Sequence, residues 1–400
     1  MDFTYSPVEE TFRKEFKDWL AENMKELPKW WNNPDVMSPE VDSDEYRQFS
    51  VWWHRKLYQA GYIGITWPKQ YGGQGRGIME QVVFYEEMAK HRVPGPFNMH
   101  ALGWVVPALL AFGTEEQKKR FIPKALNCDE IWCTLYSEPG SGSDMANAQT
   151  RAVEDGDDYV VNGQKVWTSG GHYSDWAVLL ARTDPDAPKH RGLSYLMVNM
   201  HSPGITIRPL INITGSHEFN ETFLDDVRLP KHQIIGEKNR GWYVAAAALE
   251  FERSGSGAAM MRENVINDLI EMAQERTRGG RPLAKDPLIR QKLAQIYIES
   301  NVAKYLDLRG LTNLLRTGRP GSEGVISQLF GVELNQRTQY LAMELQGPYS
   351  QLVRGSKHAI DYGRWQYSFL RSRGNSIETG TPEIKRNIIG QRILGLPRSY

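Results

Sequence analysis

Hydrophobic positions recur with a helical period over residues 7–135. Phe12, Phe16 and Leu20 stand at i, i+4 and i+8, which places them on one face of an amphipathic helix. Thr114, followed by two glutamates, has the pattern of a helix N-terminus, because its hydroxyl can cap the first turn. The first third of the chain is therefore predicted to be an α-helical bundle.

The hydrophobic period changes to two between about residues 150 and 235. Runs of strand length are separated by turn-rich segments, at 159–167, 176–183, 193–200, 205–210 and 221–229. Asn162-Gly163 lies inside the first run and predicts a hairpin turn there, since both residues tolerate positive φ. We expect a small antiparallel β-domain in the middle of the chain.

Helical patterns return after Gly241. They cover residues 242–276, 286–316, 323–345, about 355–370 and 383–394. Thr381 and Pro382 ahead of Glu383 predict a helix start, with an N-cap, a proline at the first helical position and an acid at the positive end of the dipole. The prediction is an α+β multidomain protein, with an N-terminal α-helical bundle (1–135), a middle antiparallel β-barrel domain (136–238) and a C-terminal four-helix bundle (239–400).

Charge and hydropathy exclude several classes of partner. The 48 lysines and arginines balance 48 aspartates and glutamates, so no overall basic field attracts nucleic acid or an anionic membrane. No apolar run reaches the roughly 18–20 residues of a membrane span. The N-terminus lacks the basic and apolar segments of a signal peptide. We expect a cytoplasmic protein that binds neither nucleic acid nor membrane.

The sequence offers no metal site and no common nucleotide loop. Cys128 and Cys133 lack the second ligand pair of a zinc site, and the nine histidines show no metal-binding spacing. We expect the two cysteines to be buried thiols in a reducing compartment. The glycine-rich segments 72–77 and 255–257 match neither the dinucleotide-binding nor the phosphate-binding loop.

The segment SEPGSGSD at 137–144 is a candidate binding loop. Three serines, two glycines and a proline in eight residues allow backbone amides to approach a polar ligand closely. The alternative from composition alone is a flexible connector.

Glu252 is a candidate general base. The residues that share its helical face are small or apolar, namely Ala245, Ala248, Leu249, Gly255, Ser256 and Ala259. Desolvation on such a face raises the pKa of a carboxylate toward the range that suits a base. The alternative is a structural ion pair with an arginine from another helix.

Taken together, these residues give the whole chain a resemblance to the acyl-CoA dehydrogenases. The most specific segments are LYSEPGSGSD (135–144), DDYVVNGQKVWTSGG (157–171), DDVRLP (225–230) and GTPEIKRNIIGQRILGLPR (380–398). The resemblance implies bound FAD, an acyl-CoA substrate, β-oxidation-type dehydrogenation to the trans-2-enoyl-CoA, and an electron-transferring flavoprotein as acceptor.

The resemblance also assigns roles to individual residues. Tyr136 and Ser137 would lie along the pyrimidine edge of the flavin, and Ser143 between the flavin and the CoA chain. Trp167 and Ser169 would pack near the isoalloxazine, with Ser169 where the family usually has a threonine facing N5. The remaining implied residues are Arg276, Gly347, Thr381 and Glu383 for FAD, and Ser143, Arg253 and Thr379 for the substrate.

The family's base occurs at two alternative positions. The usual C-terminal position is occupied here by Thr379, which cannot abstract a proton, although Glu378 stands one residue earlier. Isovaleryl-type and long-chain members carry the base on a helix, in a pattern that residues 249–253 (LEFER) match. The resemblance thus makes Glu252 the base, with hydride transfer to flavin N5 and Arg253 as the arginine near the active site. Glu378 is the rival.

Departures from the family pattern concern the nucleotide site across the subunit interface. Residues 276–281 (RTRGGR) and Asp286-Pro287 lack the family's aromatic residue and glutamine, and Gly347 stands between Gln346 and Pro348 where a double glycine is usual. These changes resemble the steroid- and dicarboxylate-related branch, some of whose members are α2β2 heteromers.

Assembly and substrate therefore have alternatives. We expect a homotetramer or an α2β2 heterotetramer. The alternatives to a complete dehydrogenase are a heteromer subunit with a partial FAD site and an oxygen-reactive oxidase or monooxygenase on the same scaffold. The small residues Ala245, Ala248 and Gly255 beside Glu252 favour a branched or cyclic acyl group.

Overall fold

A computed structural model describes residues 4–31, 36–252, 258–318, 321 and 323–397, and only the backbone of residues 249–252, 258 and 259. The helices are α1 (Pro7–Asn23), α2 (Asp44–Gln59), α3 (Ile78–Lys90), α4 (Val106–Phe112), α5 (Glu115–Leu126), α6 (Gly241–Glu252), α7 (Ala258–Glu275), α8 (Pro287–Thr317), α9 (Glu323–Gln346), α10 (Arg364–Ile377) and α11 (Pro382–Ile388). The strands are β1 (Trp132–Leu135), β2 (Arg151–Asp155), β3 (Asp158–Lys165), β4 (Trp176–Arg182), β5 (Leu193–Asn199), β6 (Ile205–Leu210), β7 (Phe219–Pro230), β8 (Thr277–Arg278) and β9 (Arg281–Pro282).

The contacts divide the chain into two compact units, and the unit of residues 40–77 and 94–252 contains the large sheet. Its strands are ordered β1-β4-β2-β3-β7-β6, and β5 also pairs with β4. Most pairs are antiparallel, whereas β1 and β2 each run parallel to β4. Apolar side chains at alternate positions, such as Val161 and Leu196, are fully buried in its core. The predicted β-domain is therefore present as a curled sheet.

The predicted turn at Asn162-Gly163 is wrong. Both residues lie within β3, and the chain reverses earlier, between β2 and β3. Gly163 is needed for close approach, because a Cβ there would lie 2.4 Å from the hydroxyl and 2.8 Å from the Cα of Thr150. The pairing of β3 with β7 shifts register at this point, so the glycine marks a β-bulge.

The other unit contains residues 1–39, 78–93 and 253–400. In it α1 packs on α3, and α7, α8, α9 and α10 pack together around a core that includes Leu269, Ile289 and Leu334. Phe12, Phe16 and Leu20 are buried on one face of α1, as the sequence predicts. The helical N- and C-terminal parts are confirmed, while the exact domain boundaries stay a prediction.

Two predicted helices have different limits. The pattern over 242–276 forms α6 and α7, and the residues between them lie outside the described part. The helix predicted from about 355 begins only at Arg364. Asp361 and Tyr362 before it have φ values of 47° and 53°, which a right-handed helix cannot contain. The helix starts predicted at Thr114 and Thr381 are confirmed, since each hydroxyl accepts a backbone N–H of the first turn.

Three further properties of the described residues bear on the predictions. None of the helices there combines the length and apolar character that crossing a bilayer requires. No group of three or more histidine, cysteine or acidic side chains in the same residues is placed to hold a metal ion. Cys128 and Cys133 are buried free thiols, as expected, and burial raises the pKa of each to about 12.

Candidate active site

The serine- and glycine-rich segment forms an ordered loop after β1. Glu138 and Ser141 exchange two backbone hydrogen bonds of 3.0 Å, which close a tight turn. The Ser141 hydroxyl donates to the carbonyl of Asp144 at 2.7 Å. Ser143 is exposed between these anchored residues. The loop is therefore fixed by its own hydrogen bonds, which favours a binding loop over a flexible connector.

A buried ion pair anchors this loop to the sheet. The side chain of Lys165, at the end of β3, is 0% exposed and lies 2.9 Å from the carboxylate of Glu138. Its ammonium group also donates to the carbonyls of Tyr136 at 3.0 Å and Leu180 at 2.8 Å. Glu138 accepts two backbone N–H groups in addition, at 2.6 and 2.9 Å. The pair thus ties the start and end of the loop to one point of the sheet.

Electrostatics keep both members of the pair charged at neutral pH. Burial lowers the pKa of Lys165 to about 8, while the Glu138 charge acts in the opposite direction. Burial alone would raise the pKa of Glu138, but the Lys165 charge and the backbone N–H donors outweigh it and lower this pKa. A charged pair with all its hydrogen-bond partners in place suits a low-dielectric position.

Arg182 holds the far side of the loop. Its guanidinium donates to the carbonyl of Ala146 at 2.7 Å and to that of Ala148 at 3.2 Å. The planar group satisfies two backbone acceptors that would otherwise lie unpaired beside the sheet. Residues 136–150 are therefore fastened at both ends.

Tyr136 is held from two directions. Its hydroxyl lies 2.5 Å from that of Tyr195, which is fully buried and whose pKa burial raises well above its ordinary value. Its carbonyl accepts from Lys165. Both the hydroxyl and the carbonyl of Tyr136 are thus already engaged within the chain.

Residues 167–170 present an exposed ring on a rigid backbone. Trp167 has a φ of 62° and is 54% exposed, and its indole meets Phe219 edge to face at 5.6 Å. Thr168 behind it is buried, and both its backbone N–H and its carbonyl bond to Asn220 at 3.0 Å. The hydroxyl of Ser169 has no hydrogen-bond partner within the part of the chain that the structure describes.

Arg276 and Gly347 lie near a contact between the β8–β9 hairpin and the end of α9. Arg276 is exposed and directly precedes the β8–β9 hairpin. The N–H of Leu283, which follows the hairpin, donates to the Arg276 carbonyl and closes it. Arg278 in the hairpin donates to the carbonyl of Glu344 near the end of α9, just before Gly347. Gly347 has a φ of 56° and open space beside it.

Thr381 and Glu383 belong to a different part of that unit. Thr381 caps α11, and Glu383 lies exposed in its first turn, where its own backbone N–H and Thr381 lower its pKa. Helix α11 joins α9 through an ion pair between Arg386 and Glu333. Glu333 precedes Gly347 by roughly 20 Å along the helix. Thr381 and Glu383 thus lie on α11, whereas Arg276 and Gly347 lie near the end of α9.

Of the two candidate bases, only Glu378 has a described side chain. The carboxylate of Glu378 is engaged on both oxygens, with Arg371 at 3.0 Å and Asn375 at 2.6 Å. Glu252 ends α6, one turn after the buried Ala248, but its side chain and all of Arg253 lie outside the described residues.

Comparison with known proteins resolves the family. Three family models match, for the acyl-CoA dehydrogenase N-terminal domain at residues 6–129, the middle domain at 133–227 and the C-terminal domain at 239–394. The chain belongs to the acyl-CoA dehydrogenase family.

Relatives of this acyl-CoA dehydrogenase include proteins with more specific names. It is 37% identical over 391 residues to acyl-CoA dehydrogenase IpdE1 of Mycobacterium tuberculosis, covering 97% of this chain and 98% of the relative. Among solved structures, the Tcur3481-Tcur3483 steroid ACAD matches with a TM-score of 0.85 and 29% identity over 100% of both chains. The ChsE4-ChsE5 complex from Mycobacterium tuberculosis matches with a TM-score of 0.83 and 31% identity over 100% of both chains.

Membership makes the chain an FAD-dependent oxidoreductase that acts on acyl-CoA. The described residues fit a flavin. Trp167 offers an exposed aromatic face beside the Ser169 hydroxyl, and the Ser143 loop adds exposed polar groups. A flat heteroaromatic ring with a hydrogen-bonding edge can cover that face and use those groups.

The positioning residues Lys165, Glu138 and Arg182 were not among the sequence candidates. One signal was available for Lys165. It follows Tyr159 and Val161 at even spacing along β3, so the period of two places a charged residue on the buried face. A lysine on such a face predicts an ion pair with a buried acid, which here is Glu138.

Proposed function

We propose that the chain oxidises an acyl-CoA thioester to the trans-2-enoyl-CoA, with Glu252 as the catalytic base. Glu252 takes the proton from the α-carbon, and the electrons of that C–H bond become the new double bond as the β-hydrogen leaves with its electron pair. FAD, when bound, accepts this hydride at N5, and an electron-transferring flavoprotein is the proposed final acceptor.

The hydrogen bonds of Glu378 are the observation that favours Glu252 as the base. Both oxygens of Glu378 already have partners in Arg371 and Asn375, which hold the carboxylate in place and offset its charge. Glu252 follows Ala245 and Ala248 on one face of α6, and both alanines are buried. We expect a carboxylate that continues such a face to be desolvated, which raises its proton affinity.

The α-proton of a thioester is far too weakly acidic for an unaided carboxylate, so its carbonyl must be polarised. We assign this role to the backbone N–H of Thr379. Thr379 has a φ of 53°, and its N–H has no acceptor among the described residues. A β-branched residue held in this conformation carries strain of the kind found at functional positions.

We assign FAD binding to Tyr136, Ser137, Ser143, Trp167 and Ser169 of one chain, together with Thr381 and Glu383. Arg276 and Gly347 are assigned to the nucleotide of a neighbouring subunit, because Arg276 is exposed and open space lies beside Gly347. Ser143, Arg253 and Thr379 are the proposed substrate contacts.

Anaerobic mixing with acyl-CoA tests this proposal. Glu252→Gln should retain FAD and lose the bleaching of flavin absorbance by substrate. The matched variant Glu378→Gln removes the rival carboxylate with the same change of charge, and it should still bleach. Normal bleaching by Glu252→Gln together with its loss in Glu378→Gln would overturn the assignment.

A ring-bearing acyl group is the proposed substrate class. One structural relative, 29% identical, is called a steroid ACAD, and the residues at 245 and 248 on the face of α6 that leads to position 252 are both alanine. A panel of straight-chain, branched and cyclic acyl-CoAs with ferrocenium as acceptor tests this. Faster turnover of every straight-chain compound would contradict it.

A partner subunit is also proposed. The two related structures, ChsE4-ChsE5 and Tcur3481-Tcur3483, are each named as a pair of proteins. Helix α8 exposes an apolar stripe at Ile298, Val302 and Tyr305, at i, i+4 and i+7, which suits an assembly surface. Expressed alone, the chain should hold less than one FAD per chain, and co-expression with its partner should restore it. One FAD per chain in a homotetramer would contradict this.

A further inference from the structure

A π-helical turn in the sheet-containing unit borders open space. The turn covers Ala101–Val105, directly before α4, and π turns are rare and frequent at functional sites. Its Ala101 and Val105 are completely buried. Its other side is partly accessible, and a Cβ placed on Gly103 would meet no atom within 4 Å.

Two polar rings on this side have no hydrogen-bond partner. His100 and Trp104 meet edge to face, with ring centroids 5.1 Å apart and planes at 88°. The indole N–H of Trp104 is buried without an acceptor, and the His100 imidazole has no hydrogen-bond partner within the described ranges. Buried indole N–H groups normally find an acceptor, so an orphan pair on a partly accessible turn indicates a ligand that supplies one.

The chemistry of the two rings restricts that ligand. Burial lowers the pKa of His100 to about 4, so the imidazole is neutral at pH 7. A neutral imidazole provides one N–H donor and one acceptor nitrogen, and Trp104 adds a second donor. Two donors and one acceptor suit the oxygen of a ketone or hydroxyl. They provide no positive charge for a carboxylate.

The π turn packs against the helix that carries the proposed base. Helix α6 packs against the π turn and buries Val244, Ala245 and Ala248. The helix ends at Glu252 and is about 18 Å long. A thioester whose α-carbon is at Glu252 could therefore extend its acyl group along α6 toward the π turn.

We propose that His100 and Trp104 bind a ketone or hydroxyl oxygen on the acyl group, remote from the thioester, and so select oxygenated substrates. This inference rests on the proposed function, because it places the acyl end of the substrate beside α6. It makes His100 and Trp104 specificity residues that take no part in the proton or hydride transfer.

Matched substrates test the proposal on the holoenzyme. The probes are 3-cyclohexylpropanoyl-CoA and its 4-oxo and 4-hydroxy ring derivatives, compared by kcat/KM. The wild type should prefer an oxygenated probe by about 10-fold, the value of one hydrogen bond to a group that would otherwise stay unpaired. His100→Leu and the shape-conserving Trp104→Phe should each reduce that preference, and the exposed control His201→Leu should keep it.

Binding separates this proposal from the assignment of the base. Calorimetric titration of the Glu252→Gln holoenzyme with the same probes measures the preference without turnover. The preference should persist there and fall in Glu252→Gln/Trp104→Phe. Equal affinity for the plain and oxygenated probes, or a preference that survives both His100→Leu and Trp104→Phe, would overturn the proposal whichever carboxylate is the base.

Discussion

Replacement of Lys165 by methionine is the sharpest test of how the flavin-side loop is held. Methionine conserves the length of the side chain and removes the ammonium group, which leaves the Glu138 carboxylate buried with only its backbone donors. The two side chains are 0% and 6% exposed, so the charge cannot recover its hydration. Loss of one member of such a pair costs about 3–5 kcal/mol of unfolding free energy.

The structure supplies a matched control on the same loop. Lys189 pairs with Asp144, but their side chains are 44% and 57% exposed. Lys189→Met should therefore cost less than about 1 kcal/mol. Adding Glu138→Gln to Lys165→Met should recover part of the loss, because it removes the unpaired charge.

Thermal unfolding at fixed FAD concentration measures the effect. A cooperative unit of about 150–250 residues shifts by about 2–4 °C for each kcal/mol, so Lys165→Met should lower Tm by at least about 6 °C. FAD affinity should fall with it, because Tyr136 and the loop lose their common anchor. A Tm within about 2 °C of wild type, with unchanged FAD affinity, would refute the reasoning.

Three further predictions concern the pH dependence of stability at Glu138, the packing of two glycines, and the exposed ring of Trp167. The pKa of Glu138 is lower in the folded chain than its ordinary 4.5, so its stabilisation is present above that value and is lost as the pH falls below it. In acid titrations followed by circular dichroism, wild type should thus lose more stability between about pH 5 and 3 than Glu138→Gln does. Gly163→Ala should cost more than about 1 kcal/mol in denaturant unfolding, because its Cβ would lie 2.4 Å from the Thr150 hydroxyl, whereas Gly310→Ala, in open space on α8, should stabilise by up to about 1 kcal/mol. Trp167→Ala should leave the Tm of the apoprotein nearly unchanged and weaken FAD binding by about 2–10-fold in fluorescence titrations, and an unchanged FAD affinity would count against its place at the ring.

Periodicity predicted most of the fold because each element has one buried face. The spacing of Phe12, Phe16 and Leu20 is a property of α1 itself, and the caps at Thr114 and Thr381 depend only on neighbouring residues. Local sequence was therefore sufficient to place these elements.

Tertiary contacts account for the wrong prediction of a turn and for the residues that were missed. Asn162-Gly163 has the local chemistry of a turn, but the approach of Thr150 fixes Gly163 within a bulged strand. The pairing of Lys165 with Glu138 joins residues 27 apart in sequence, and the orphan state of His100 is visible only once its surroundings are known. Such facts depend on packing between elements.

The central claim is that Glu252 removes the α-proton, and proton exchange tests it most directly. In 3,3-dimethylbutanoyl-CoA the β-carbon carries no hydrogen, so the thioester can exchange its α-protons in D2O but cannot be oxidised. The wild type and Glu378→Gln should exchange these protons for deuterium in proton NMR, and Glu252→Gln with FAD bound should not. Exchange at the wild-type rate in Glu252→Gln would contradict the account.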